Sequence, residues 1–181
     1  MTTLLSDRRT MILSRSHVNT ISMDHDLGDP VYRCEVAMQH FEYSIDVNIP
    51  VRVAYEQWIR FEESPSFMPT VKHVVQRDDK TLDVTSTLAG MRADWTAEIT
   101  DQTPDARIAW KSTSGSGSEY TTTILLQPLG ESRTRVTMKA EVDPKGVVET
   151  VAMKLLGRPF LERRVKGDLA GFKQFVESRR E

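Results

Sequence analysis

The sequence predicts an α+β fold, a seven-stranded antiparallel sheet packed against one long C-terminal helix. Runs of alternating apolar and polar residues recur from residue 41 to residue 142, and each such run marks a strand with one buried face. The connections between successive runs are short, which suits antiparallel hairpins. The last stretch carries apolar residues at helical spacing. A sheet and a helix of this kind bury their apolar surfaces against each other.

The elements follow in order. Phe41, Tyr43, Ile45, Val47 and Ile49 alternate with Glu42, Ser44, Asp46 and Asn48, a strand that Pro50 ends. Proline suits the start of a helix, and Ala54, Trp58 and Phe61 then recur at helical spacing. Ser64-Pro65 breaks that helix, and Ser66-Phe67-Met68-Pro69 reads as a partly apolar, lid-like segment. Val71 to Arg77 is the next strand, with a turn at Asp78-Asp79-Lys80. Leu82, Val84, Ser86 and Leu88 mark another, closed by Ala89-Gly90. Met91, Ala93, Trp95, Ala97 and Ile99 form the inward face of a fourth, and Thr103-Pro104-Asp105 turns the chain. Ile108, Trp110 and Ser112 make a strand face before the loop Ser114 to Ser118. Tyr120 to Gln127 is a Thr-rich strand closed by Pro128 to Glu131, and Val136, Met138, Ala140 and Val142 face inward on the last. Val147, Val151 and Leu155 begin the helix, and Gly157-Arg158-Pro159 interrupts or kinks it. Leu161, Val165, Leu169, Phe172 and Val176 trace its apolar face, while Arg163, Arg164, Lys166, Lys173 and Glu177 populate the rest.

Residues 1–39 differ from this. Their apolar pairs and triplets share no sustained period, so they bury too little to offset the entropy of ordering a backbone. The expected organisation is a disordered or loosely ordered extension, 1–39, and one domain, 40–181. Arg8-Arg9 resembles a twin-arginine signal, but Ser14-Arg15-Ser16-His17 follows where an apolar stretch is needed. Arg8, Arg9 and Arg15 suit a transit peptide, which Asp7, Asp24 and Asp26 oppose. The abrupt onset of alternation is also what a biological start at Met38 would leave.

Composition excludes several functions. Of 181 residues, 24 are Lys or Arg and 26 Asp or Glu, a net charge of -2 that disfavours a phosphate-backbone binder, so no nucleic-acid partner is expected. The single cysteine, Cys34, excludes an internal disulfide framework and a cysteine-based zinc cluster. No apolar run approaches the roughly 18 residues of a membrane span, so no stable membrane insertion and a cytoplasmic location are expected. His17, His25, His40 and His73 show no ligand spacing, and neither a metal nor a cofactor is expected. Gly115-Ser116-Gly117 lacks the strand-to-helix context of a nucleophile elbow and the Lys-Ser/Thr of a phosphate loop. Asp94 and Glu98 share a strand face opposite in parity to Trp95, Ala97 and Ile99, and read as a solvated face rather than a catalytic pair. Arg92, Arg107, Arg133 and Arg135 read the same way.

The segment Ser44 to Trp58, with Phe61-Glu-Glu-Ser-Pro-Ser-Phe-Met68, resembles the bacterial polyketide cyclase/dehydrase-like family. Asp94 to Asp105, Arg107 to Ser112 and Arg164 to Phe175 extend the resemblance across residues 41–178. That family lies in the START and birch-pollen-allergen (SRPBCC) superfamily and overlaps the coenzyme Q-binding START group. The resemblance implies a helix-grip fold, a curved sheet around the long helix with a cavity between them. It implies binding of lipids, quinones or polyketides, with catalysis in only some members, and transfers no catalytic motif residue by residue.

Ligand pockets are concave and mostly apolar, with few polar groups. The inward parity nominates Tyr43, Ile45, His73, Val84, Ser86, Trp95, Ile99, Trp110, Ser112, Tyr120 and Thr122. The helix adds Met153, Phe160, Leu161, Val165 and Leu169, and the lid-like segment adds Phe67 and Met68. Trp58 reads as core, anchoring the first helix. The expected function is binding or carrying a small hydrophobic molecule, by a monomer or homodimer. The rival is a cyclase/dehydratase moving protons with Tyr43, His73 or Tyr120. A third reading is a ligand-gated or stress-linked module in which Phe61 to Pro69 recruits a partner.

Overall fold

In β1 (Gln39–Val47), Phe41 and Val47 are buried and the intervening acids face water, as the alternation requires. The computed structural model that contains it describes residues 38–88, 90–115, 118–144 and 147–179. Of the extension expected over 1–39, residues 1–37 lie outside the described residues, while Gln39 already belongs to β1. Pro50 caps α1 (Val51–Trp58), and its carbonyl accepts the Ala54 N–H at 3.1 Å. A short 3-10 helix follows (Phe61–Ser66). The remaining strands are β2 (Val71–Gln76), β3 (Thr81–Leu88), β4 (Met91–Thr103), β5 (Arg107–Ser114), β6 (Ser118–Gly130) and β7 (Arg133–Pro144). The chain then forms α2 (Val147–Ser178).

The strands form one seven-stranded antiparallel sheet in the order β1-β7-β6-β5-β4-β3-β2. From β2 to β7 every neighbour is joined by a hairpin, and β1 returns to pair with β7. The core lies between this sheet and the helices, where Val47, Ile108, Ile124, Val136 and Phe172 are fully buried. The C-terminal half of α2 is fastened to the end of β1. Lys173 Nζ donates to the Asp46 carbonyl at 2.6 Å, and the Asn48 N–H donates to Glu177 Oε1 at 2.8 Å. The buried Thr134 hydroxyl donates to the Ile49 carbonyl at 2.8 Å, fixing the corner where β1 turns into α1. On the outer face charges pair across strands: Arg135 with Asp46 at 2.8 Å, Lys139 with Glu42 at 3.1 Å, and Lys111 with Glu98 at 3.1 Å.

Several expectations are corrected. In β2 the register shifts between Val71 and His73, so Lys72 is an extra residue opposite one step of β3. Val71 and Val74 therefore face inward, and the strand ends at Gln76. β4 continues four residues past Ile99, to Thr103. β6 runs through Pro128 to Gly130, and the turn is at Glu131–Ser132. Proline is tolerated there because β5 pairing ends near Leu125, leaving β6 a partner on one side only. α2 is one helix through Pro159, whose ring is exposed.

Candidate functional site

A cavity of about 140 Å³ lies between the sheet and α2. Cross-strand register builds its floor. Phe41, Ala140, Thr122 and Trp110 form one row across β1, β7, β6 and β5. Val142 and Tyr120 pair in the row on one side of Ala140, and Met138 lies on its other side along β7. The far wall is the paired set Val74, Val84 and Trp95, flanked by Val71, Ser86 and Ala93. All these residues lie on the inward faces of their strands, Val71 and Val74 both doing so because of the bulge between them. Trp95 Nε1 donates to Ser86 Oγ at 3.1 Å, which satisfies both polar groups inside the wall. Trp58, Trp95 and Trp110 all line the cavity, and they are the chain's three tryptophans.

The segment after α1 contributes Phe61, Ser64 and Met68, one face of the 3-10 helix and the turn after it. This segment is held down rather than hinged. Phe67 lies outside the cavity lining, 3% exposed, and packs edge-on to Trp58 and Phe172 with centroids 5.2 and 5.4 Å apart. A methyl group at Gly171 would overlap the Phe67 carbonyl, so the segment presses on α2 where the helix has no side chain. Trp58 is both core and wall: it is 1% exposed, stacks on Phe172 at 4.7 Å, and borders the cavity.

From α2 come Leu161, Arg164, Val165 and Asp168, spaced i, i+3, i+4 and i+7 on one helical face. Asp168 is 3% exposed. Its Oδ2 stands 3.9 Å from Arg164 Nε, beyond hydrogen-bond length, and its Oδ1 has no partner among the described residues. Burial pushes its carboxyl from 3.8 up to about 6, and the Arg164 charge only partly offsets that. Sequence reasoning missed Asp168 and placed Arg164 off the apolar face of the helix. The signal was present: Asp168 follows Leu161 by seven residues, which returns it to within about 20° on the helix.

Of the residues nominated from sequence, Met68, Val84, Ser86, Trp95, Trp110, Tyr120, Thr122, Leu161 and Val165 line the cavity. His73 does not; the β2 bulge turns it outward and it is exposed. Tyr43 is half-buried outside the lining, with Lys166 Nζ 4.4 Å from its ring centroid. Ile45 is half-buried against the core, and Ile99 and Leu169 are core residues beyond the cavity. Ser112 is buried, and its Oγ accepts the Tyr120 backbone N–H at 2.9 Å, so it serves the strand pairing. Met153 and Phe160 lie on α2, but their side chains are outside the described residues. Of the three proton-transfer candidates, Tyr120 alone reaches the cavity. On the outer face Asp94 pairs with Arg92 at 3.0 Å and accepts the Thr85 hydroxyl at 2.6 Å, and these bonds hold its carboxyl below the usual range. Among the described residues there is no cluster of three metal-ligating side chains, and no helix is long and apolar enough to cross a membrane.

A helix gripped by a curved sheet, with an apolar cavity between, is the arrangement shared with a known family. A family model described as polyketide cyclase / dehydrase and lipid transport matches residues 47–167. The chain belongs to this family. It is 38% identical over 142 residues to an uncharacterized 17.2 kDa protein in the melC2-rnhH intergenic region of Streptomyces lincolnensis, covering 78% of this chain and 92% of that protein. Among solved structures, the Zhui aromatase/cyclase from Streptomyces sp. R1128 superposes with a TM-score of 0.69 at 17% identity, over 80% of this chain and 97% of that one. A START superfamily protein from Mycobacterium smegmatis gives 0.55 at 17%, over 70% and 97%. At these identities the structural likeness is one of fold: the family member here has the helix-grip architecture.

Proposed function

We propose that this family member binds a small, mainly apolar ligand between its sheet and α2. The observation that carries the reading is the cavity, walled by three tryptophans, Phe41, Phe61 and branched aliphatic residues. A void of about 150 Å³ holds a single benzene-sized ring, and this one is about 140 Å³. A longer lipid, quinone or polyketide chain would extend beyond the enclosed part, past the half-buried Trp95, Trp110 and Tyr120. Lipid or coenzyme Q carriage and polyketide binding are finer forms of this one reading.

A second reading, cyclisation with loss of water, is favoured by one feature. Asp168 and Tyr120 place two proton-bearing groups on the cavity wall, and a carboxyl with a pKa near 6 suits proton transfer. One experiment separates the two. The full chain is incubated with a short aromatic polyketide mimic, and native mass spectrometry reads the bound mass. Binding alone leaves the ligand mass unchanged and quenches tryptophan fluorescence; cyclisation with dehydration lowers the bound mass by one water. An absence of bound ligand and of quenching, with this mimic and with a panel of single-ring aromatics, would overturn both.

A further inference from the structure

We infer that Arg164 and Asp168 together select a ligand bearing a neutral hydroxyl, as in a phenol, rather than a bare hydrocarbon or a carboxylate. The inference rests on the cavity being the ligand site and adds the chemistry of the ligand's polar group. Asp168 shares its helical face with the apolar Leu161 and Val165 on the cavity wall. There the helix carries a carboxyl that is 3% exposed, with Oδ1 unpartnered among the described residues. Buried polar atoms in folded proteins are nearly always hydrogen-bonded, so an orphan on a cavity wall points to a partner that arrives with a ligand. Its charged neighbour among the described residues does not serve: Arg164 Nε stands 3.9 Å from Oδ2, and the Arg164 side chain is only 22% exposed.

The pair therefore presents an acceptor and a donor side by side on one helical face. A hydroxyl completes both at once, donating to the Asp168 oxygen and accepting from the Arg164 guanidinium. A carbonyl accepts from Arg164 and leaves Asp168 unmade. A carboxylate brings its negative charge against that of Asp168. Elsewhere on the wall Trp95 and Ser86 satisfy each other at 3.1 Å. The other polar side chains there include Trp58, whose Nε1 is a buried donor with no partner among the described residues, Ser64, Tyr120 and Thr122. None of these pairs a donor with an acceptor carboxylate as Arg164 and Asp168 do. The ligand's ring lies over Trp110 and Phe41 while its hydroxyl meets α2.

Calorimetric titration of the full chain at pH 8 with 4-ethylphenol, ethylbenzene and 4-ethylbenzoate tests this. The phenol should bind about tenfold or more tighter than ethylbenzene, the scale of one hydrogen bond to a charged group, and the benzoate weakest of the three. In Asp168→Leu the ratio of phenol to ethylbenzene affinity should fall to near one, and Arg164→Met should lower it in part; circular dichroism checks that each variant is folded. Equal affinities for phenol and hydrocarbon, tightest binding of the benzoate, or an unchanged ratio in Asp168→Leu would overturn the hydroxyl assignment while leaving the cavity as the site. Binding of none of the three would remove the cavity reading as well.

Discussion

Asp168 concentrates the energetic tension of the site in one residue. Its carboxyl is raised from 3.8 to about 6, first by burial, with Arg164 pulling it back only in part. Among the described residues, Arg164 and Tyr120 are the other titratable groups on the cavity wall. Below pH 3.8 the folded and unfolded states both hold the proton, and the residue costs nothing. Between 3.8 and 6 the folded state keeps a proton that the unfolded state has lost. Above 6 both are charged and the folded state carries the whole penalty, about 3 kcal/mol. Stability is therefore lost as pH rises through this window. Asp168→Asn should stabilise the chain by up to about 3 kcal/mol at pH 8 and by close to nothing at pH 3.5, read from urea midpoints. An equal shift at both pH values would show that Asp168 does not titrate in this way. The residue was legible in part: its position on the Leu161 face could be counted from the sequence, but its burial could not. His73 shows the opposite case. Its parity with Val71 looked inward, and one bulged residue, Lys72, reversed it.

At the scale of elements, the segment from Phe61 to Pro69 changes character most between sequence and structure. Its composition suggests a lid, but Phe67 is locked among Trp58, Phe172 and Phe175. Gly171 permits that contact, because any Cβ there meets backbone atoms of Phe67, which cannot rotate aside as a side chain would. In a helix, alanine is ordinarily favoured over glycine by about 1 kcal/mol. Gly167→Ala, where the added methyl meets open space, should show that gain. Gly171→Ala should instead destabilise by about 1–3 kcal/mol, since the segment must shift and its aromatic packing loosens. Thermal unfolding of the two variants side by side gives the comparison. Gly171→Ala with a gain like that of Gly167→Ala would show that the segment is not pressed on the helix. The strands were legible because alternation with period two survives wherever one face is buried. Their ends were not, because Pro128 and Gly130 signal a turn, while β7 still offers pairing along that length.

For the whole molecule, the cavity is what the helix and sheet leave unfilled. Ala140 sits in the middle of its floor between Phe41 and Thr122, a small residue facing the void. Ala140→Leu should occupy much of the space, lowering ligand affinity about tenfold or more while changing stability by less than about 1.5 kcal/mol. Unchanged affinity for the ligands that bind the unmodified chain would move the binding site elsewhere.

The sequence by itself determined the order of elements, the inward parity of six of the seven strands and the apolar stripe of α2. These depend on local periodicity, which each segment carries alone. It also excluded a disulfide framework through its single cysteine. The tertiary structure decided which inward residues are wall and which are core. Trp110, Tyr120 and Thr122 border the void, but Ile99, of the same inward parity, and Leu169, on the same apolar stripe of α2 as Leu161, pack against neighbours beyond it. That distinction depends on where α2 lies over the sheet. It is set by contacts between distant segments, such as Lys173 with Asp46 and Glu177 with Asn48, and by the Gly171 notch under Phe67. The same placement brings Arg164 and Asp168 onto the cavity wall, because a helix buries whatever residue faces the sheet, charged or not.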